Sequence, residues 1–168
     1  MKDQETKTTE EAVKFVRENK NLLIEKFVND LTYPSDNDPV SIFMAGSPGA
    51  GKTEFAKTLI EKYQRTDREN ILRIDADEIR NLIPGYNGAN ADTFHKAASR
   101  GVDILHSYAL KKNKNFVLDG TFSNLNKATE NITRSLKRDR ETLIFYIYQD
   151  PLVAWEFTKK RERLEGRR

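Results

Sequence analysis

The stretch that decides the reading is "GSPGAGKT", Gly46–Thr53, which follows directly on the apolar run "VSIFMA" at 40–45. It fits the pattern G-x-x-x-x-G-K-[ST], with Gly46, Gly51, Lys52 and Thr53 in the fixed places. Glycine permits backbone angles that a side chain forbids, so the N–H groups of such a loop can converge on phosphate oxygens. A helix starting at the loop adds unpaired N–H groups and the positive end of its dipole. The lysine reaches the terminal phosphates, and the threonine hydroxyl ligates Mg²⁺. The nucleotide-binding set is therefore Gly46, Ser47, Pro48, Gly49, Ala50, Gly51, Lys52, Thr53 and Glu54. A glycine-rich turn that binds nothing is the bland reading. The apolar run before the loop and the helical pattern after it weigh against that reading.

Working outward, "VSIFMA" has β-branched character and the length of a buried strand, and 52–64 reads as a helix with Ala56, Leu59, Ile60 and Tyr63 on one face. "NILRID" (70–75) is a second strand, with a helix beginning in "ADEIRNLI" and a loop at "PGYNGAN" (84–90). Residues 92–112 carry Phe94, Ala98, Val102, Leu105 and Ala109 as the apolar face of a helix. "NFVLD" (115–119), a helix near 125–138 and "TLIFYIY" (142–148) continue the alternation, and Asp150-Pro151 starts a last helix. Strands alternating with helices predict a parallel sheet covered on both faces.

Before residue 38 the pattern is helical. "TTEE" offers a capping box with Thr8 as cap and Glu11 three residues on, and Val13, Val16, Leu23, Phe27 and Leu31 draw one apolar stripe. "ENKN" at 18–21 is a place where this helix could divide, and "YPSDNDP" (33–39) is a loop by composition.

Composition bounds the rest. The 168 residues hold 29 Lys plus Arg against 26 Asp plus Glu, and a net charge of +3 gives no argument for a nucleic-acid partner. There is no cysteine, so disulfides and thiolate metal sites are excluded, which suits a reducing cytoplasm. The N-terminus lacks the apolar stretch of a signal peptide, and no run approaches the ~20 residues that span a bilayer.

The phosphate loop does not name the acceptor. Asp75 and Asp77 follow a predicted strand, at the edge where open α/β sheets bind ligands. Asp77 and Arg80 share one face of a helical first turn. A carboxylate there can take a proton from an attacking alcohol, and a guanidinium can hold an anion. A helix cap with an i,i+3 ion pair explains the same residues equally well. Asp119 ends "FVLD" beside the loop, where a carboxylate holds Mg²⁺ or caps the next turn. The terminal "KKRERLEGRR" places Arg161, Arg163, Arg167 and Arg168 where they stabilise transferring phosphate, or simply favour a helix end. His95 and His106 lie eleven residues apart on one predicted helix and form no convincing metal pair or catalytic dyad.

Taken in order, "FMAGSPGAGKTE", "RIDADEIR", "LDGTF" and "RERLEGR" resemble the zeta toxin family of P-loop kinases over roughly residues 40–168. The resemblance implies transfer of phosphate from ATP or GTP to the 3′-hydroxyl of UDP-N-acetylglucosamine, with an antitoxin as a protein partner. It assigns Lys52 and Thr53 to nucleotide phosphate and Mg²⁺, Asp77 to the general base, and Arg163 and Arg168 to the charge-stabilising lid. Asp103 falls near a substrate-contacting glutamate of many members, and Thr121 of "DGTF" falls where the family contacts the sugar. Family members usually continue past the "EGR" block, which implies a lid cut short here.

The expectation is thus an α/β chain with a P-loop NTPase three-layer α/β/α sandwich, a mainly parallel sheet and an N-terminal helical extension. Residues 1–38 form the extension and 39–168 the kinase domain. The expected activity moves a γ-phosphate to a small-molecule hydroxyl, with Asp77, Lys52, Arg163 and Arg168 catalytic. Asp75, Arg80, Asp103 and Thr121 hold the acceptor, and Thr53 and Asp119 hold Mg²⁺. A polynucleotide 5′-hydroxyl kinase and a non-catalytic nucleotide-binding module are the rivals.

Overall fold

A computed structural model describes residues 2–65 and 70–165. The chain runs α1 (Lys2–Glu18), α2 (Lys20–Phe27), β1 (Val40–Ala45), α3 (Lys52–Tyr63), β2 (Leu72–Asp75), α4 (Ala76–Arg80), α5 (Ala91–Lys111), β3 (Phe116–Asp119), α6 (Leu125–Leu136), β4 (Glu141–Tyr146) and α7 (Pro151–Glu165). The four strands are parallel in the order β2-β3-β1-β4. The strand that feeds the glycine loop is therefore interior.

The pleat sorts the apolar residues into two cores. Val40, Ile42 and Met44 of β1 and Val117 of β3 pack with Ala56 of α3 on one face. Phe43, Leu72, Ile74, Phe116 and Leu118 point to the other face, against Phe94, Ala97, Leu105 and Ala109 of α5. A period of two along each strand places alternate residues on opposite sides, so these short runs are buried twice over. The result is three layers, with α1 and α2 outside α5: Ala12, Val16 and Leu23 join the α5 core.

The N-terminal segment departs from expectation in two places. Thr8 is not a cap, because α1 already starts at Lys2; its hydroxyl instead donates to the Gln4 carbonyl at 2.9 Å inside the helix. Leu31 is not on the stripe, because the helix ends at its cap Val28, and Leu31 is left 94% exposed. The break expected near Glu18 is present, and Val13, Val16, Leu23 and Phe27 do face the core.

Topology fixes where a ligand can sit. From β1 the chain crosses to β2, returns to β3 between them, and then passes to β4 on the far side of β1. Connections diverge from the C-terminal ends of β1 and β3, and such a switch point opens a crevice. The glycine loop leaves the end of β1, and Asp119 stands at the end of β3.

Candidate active site

The loop is shaped by close backbone packing. Gly46 has φ +140, and a Cβ there would lie 2.3 Å from the Ile147 carbonyl oxygen. Gly49 has φ +77, and its Cβ would lie 2.1 Å from the Ala154 carbonyl oxygen of α7. Only glycine meets these demands at Gly46 and Gly49, whereas Gly51 has φ +90 with nothing within 4 Å of its Cβ position, so its backbone angle alone favours glycine. Lys52 opens α3 and is buried; its Nζ donates to the Gly46 carbonyl at 2.9 Å and the Ser47 carbonyl at 2.7 Å. The ammonium thus lies curled into the loop that would hold phosphate. Burial lowers its pKa, while the Asp119 carboxylate opposes that fall.

Thr53 donates from Oγ1 to Asp119 Oδ2 at 3.2 Å. These are two oxygen donors of the kind that a hard cation takes, and Mg²⁺ typically uses one or two carboxylates together with substrate phosphates. Among the described residues, no three His, Cys, Asp or Glu side chains converge on a metal position. The oxygens of Thr53 and Asp119 fit a hard cation.

Beside them lies a residue the sequence reading missed. Arg73 donates to Asp119 Oδ2 from Nε at 3.1 Å and from Nη2 at 2.8 Å, and it also pairs with Asp75 and Glu78. A basic residue inside a predicted strand, with Asp75 and Glu78 close by in sequence, is a signal for such pairing. Asp75 caps α4 by accepting from the Asp77 N–H at 2.8 Å. Burial pushes the Asp75 carboxyl up to about 6, against the pull of Arg73.

The acceptor-side residues gather on the same opening. A cavity of about 510 Å³ is lined by Pro48, Gly49, Lys52 and Thr53 from the loop and by Asp75, Asp77, Arg80, Asp103, Asp119 and Thr121. Arg80 is buried and donates to Asp77 Oδ1 at 2.7 Å. Asp103 pairs with Lys127 of α6 at 2.8 Å, and the Thr121 hydroxyl donates to Ser123 Oγ at 3.0 Å. Gly46, Ser47, Ala50, Gly51 and Glu54 are outside the lining. His95, Ser99, Lys127 and Asn131 line the cavity too, none of which the sequence singled out for the site. His106 does not; it is buried against Phe43 and Phe116.

Of the C-terminal arginines, Arg161 lines the cavity and pairs with Glu54 at 2.9 Å. Arg163 is exposed and not in the lining, and Arg168, like Arg167, lies outside the described residues.

A parallel sheet whose central strand runs through a glycine phosphate loop into a helix defines a P-loop protein. The family model described as Zeta toxin matches residues 24–168, and the chain belongs to that family. A solved structure from the PezAT chromosomal toxin–antitoxin system of the human pathogen Streptococcus pneumoniae is similar in fold, with a TM-score of 0.74 at 17% identity. That match covers 89% of this chain and 64% of the other, so the chain spans less than two thirds of that relative. A chain of the Pnkp1/Rnl/Hen1 RNA repair complex is similar with a TM-score of 0.56 at 17% identity, over 78% of this chain and 40% of the other. A comparison with curated protein sequences returned no match. Among the described residues, no helix is long and apolar enough to cross a membrane.

Proposed function

We propose that the protein is a kinase that moves the γ-phosphate of ATP or GTP to a hydroxyl group of a small molecule, with UDP-N-acetylglucosamine as the first acceptor. One observation carries this reading: the phosphate loop and the Asp77–Arg80 pair open into the same cavity. A donor site and a proton acceptor that share one cavity can hold the reacting groups in attack geometry.

The reaction assigns work to residues already in place. The acceptor hydroxyl loses its proton to the Asp77 carboxylate as its oxygen bonds to the γ-phosphorus, and the bond to the bridging oxygen breaks to release the nucleoside diphosphate. Lys52 exchanges its two loop carbonyls for phosphate oxygens. Arg80 holds the Asp77 carboxylate in orientation. Thr53 and Asp119 would hold Mg²⁺, which neutralises charge on the phosphates when bound. Arg161, from the cavity wall, is placed to steady the transferring group; Arg163 and Arg168 are the arginines that the family resemblance assigns to this task. Asp75, Asp103 and Thr121 line the space left for the acceptor.

The partner that fits this reading is an antitoxin protein, supported by the fold shared with the toxin–antitoxin structure. The cytoplasm is the compartment that supplies both nucleotides.

The acceptor is tested by competition. Purified protein with Mg-ATP is offered UDP-N-acetylglucosamine and a single-stranded oligonucleotide together, and products are read by mass spectrometry. The sugar nucleotide is expected to gain one phosphoryl group, with little dependence on salt. Phosphorylation of the oligonucleotide alone, with strongly salt-dependent binding, would overturn the assignment.

A further inference from the structure

We infer that Arg73 is a positioning residue that ties the metal-side carboxylate Asp119 to the capping carboxylate Asp75 and competes with a divalent cation for Asp119. The inference rests on the kinase reading of the cavity, because it concerns the cation that this reading places at Thr53 and Asp119.

Asp75 and Asp119 are register partners on β2 and β3, so two carboxylates leave the sheet side by side. Arg73 stands two residues before Asp75, and the strand period puts both on the same face. Its guanidinium reaches across both strands: Nη2 serves Asp75 and Asp119 together, Nε serves Asp119, and Nη1 serves Glu78. The Arg73 side chain is 12% exposed and that of Asp119 5%, so water screens these contacts poorly. The planar fork of donors holds the three carboxylates in fixed directions, where an ammonium would be a rotatable point charge.

Three donors converge on the one oxygen Asp119 Oδ2: Arg73 Nε, Arg73 Nη2 and Thr53 Oγ1. A cation using Thr53 and Asp119 must take that oxygen from the guanidinium and accept its positive charge as a neighbour. Before nucleotide binds, Arg73 therefore supplies the positive charge itself, and a bare divalent ion gains little by entering. A nucleotide brings phosphate oxygens that complete the cation's shell and offset the repulsion. Metal then enters together with nucleotide. The second hand of the clamp orders the acceptor side: Asp75 Oδ1 fixes the Asp77 N–H, so the grip on Asp75 sets the first turn of α4, which carries Asp77 and Arg80.

The test is Mn²⁺ binding to the nucleotide-free protein, followed by electron paramagnetic resonance. Arg73→Gln is expected to bind Mn²⁺ roughly tenfold more tightly than the wild type, because a fixed positive charge leaves the site. Adding Asp119→Asn should remove that gain. A purely structural role would leave affinity unchanged or weaken it. Should Arg73→Gln fail to fold, Arg73→Met replaces it: it also removes the positive charge while keeping an apolar stem, and affinity is expected to shift the same way. Wild-type Mn²⁺ affinity in the folded variant would overturn the inference. Nucleotide titrations of the same proteins separate the two ideas, since a wild type that binds no nucleotide contradicts the kinase reading, whereas nucleotide binding with unaltered Mn²⁺ affinity contradicts only the role of Arg73.

Discussion

Arg161 of α7 donates to the Glu54 carboxylate of α3 at 2.9 Å, which joins the last helix to the helix that starts in the phosphate loop. The pair holds a guanidinium at the cavity wall, beside the phosphate loop. Arginines that contact a transferring phosphoryl group contribute on the order of 10³–10⁵ in rate. Arg161→Ala is expected to lower kcat by about 10³ with nucleotide affinity little changed, and Arg163→Ala to cost far less. Steady-state kinetics of the two variants check this. Equal losses, or a larger loss for Arg163→Ala, would move the role along the helix.

A second prediction concerns packing. The space in which Gly49 would carry a side chain is taken by the Ala154 carbonyl and by Thr158 Oγ1, 2.1 and 2.7 Å from the ideal Cβ. Gly49→Ala must push α7 off the loop, and it adds the ~1–2 kcal/mol cost of a left-handed non-glycine residue. Lower thermal stability and lost nucleotide binding are expected together, measured by calorimetry. Gly120→Ala is the control, because nothing lies within 4 Å of its Cβ position.

Most of the fold was legible because the strands are short, apolar and separated by turn formers. β1, buried at all six positions, and the α5 face of Phe94, Ala98, Leu105 and Ala109 followed directly from periodicity. β4 was legible as a strand, yet Leu143, Ile144 and Tyr146 are exposed, since it is the edge of the sheet and edge position depends on strand order rather than on local pattern. The Thr8 cap failed because Gln4 and Glu5 extend the helix backward, and four residues cannot show which turn is first. At the site, the loop residues carried their own signature. Lys127 did not, because its partner Asp103 lies 24 residues away in sequence and meets it only in the folded chain, and for Arg73 the distant partner Asp119, 46 residues away, was equally out of reach.

The third prediction is a pH dependence. His106 is buried against Phe43 and Phe116, with ring centroids at 6.1 and 5.0 Å, and burial holds its pKa down at about 3, aided by the nearby Arg134. In the unfolded chain it titrates near 6.5. Between these values the unfolded state carries a proton that the folded state lacks, so stability falls as pH drops from about 6.5 toward 3. The slope from this one group approaches ~1.4 kcal/mol per pH unit. His106→Gln should remove that part of the slope in urea unfolding curves between pH 4 and 7. An identical slope in the variant would show that His106 titrates freely in the folded protein.

The most direct test of the central claim, that donor and acceptor react in one cavity with Asp77 taking the proton, is a ³¹P NMR time course with Mg-ATP and UDP-N-acetylglucosamine. The wild type is expected to produce a new phosphomonoester resonance in step with ADP, and Asp77→Asn to bind ATP while forming that product at least ~10²-fold more slowly. Contradiction would be ATP that binds yet stays intact, ATP that yields only inorganic phosphate, or an Asp77→Asn variant that forms the phosphomonoester at the wild-type rate.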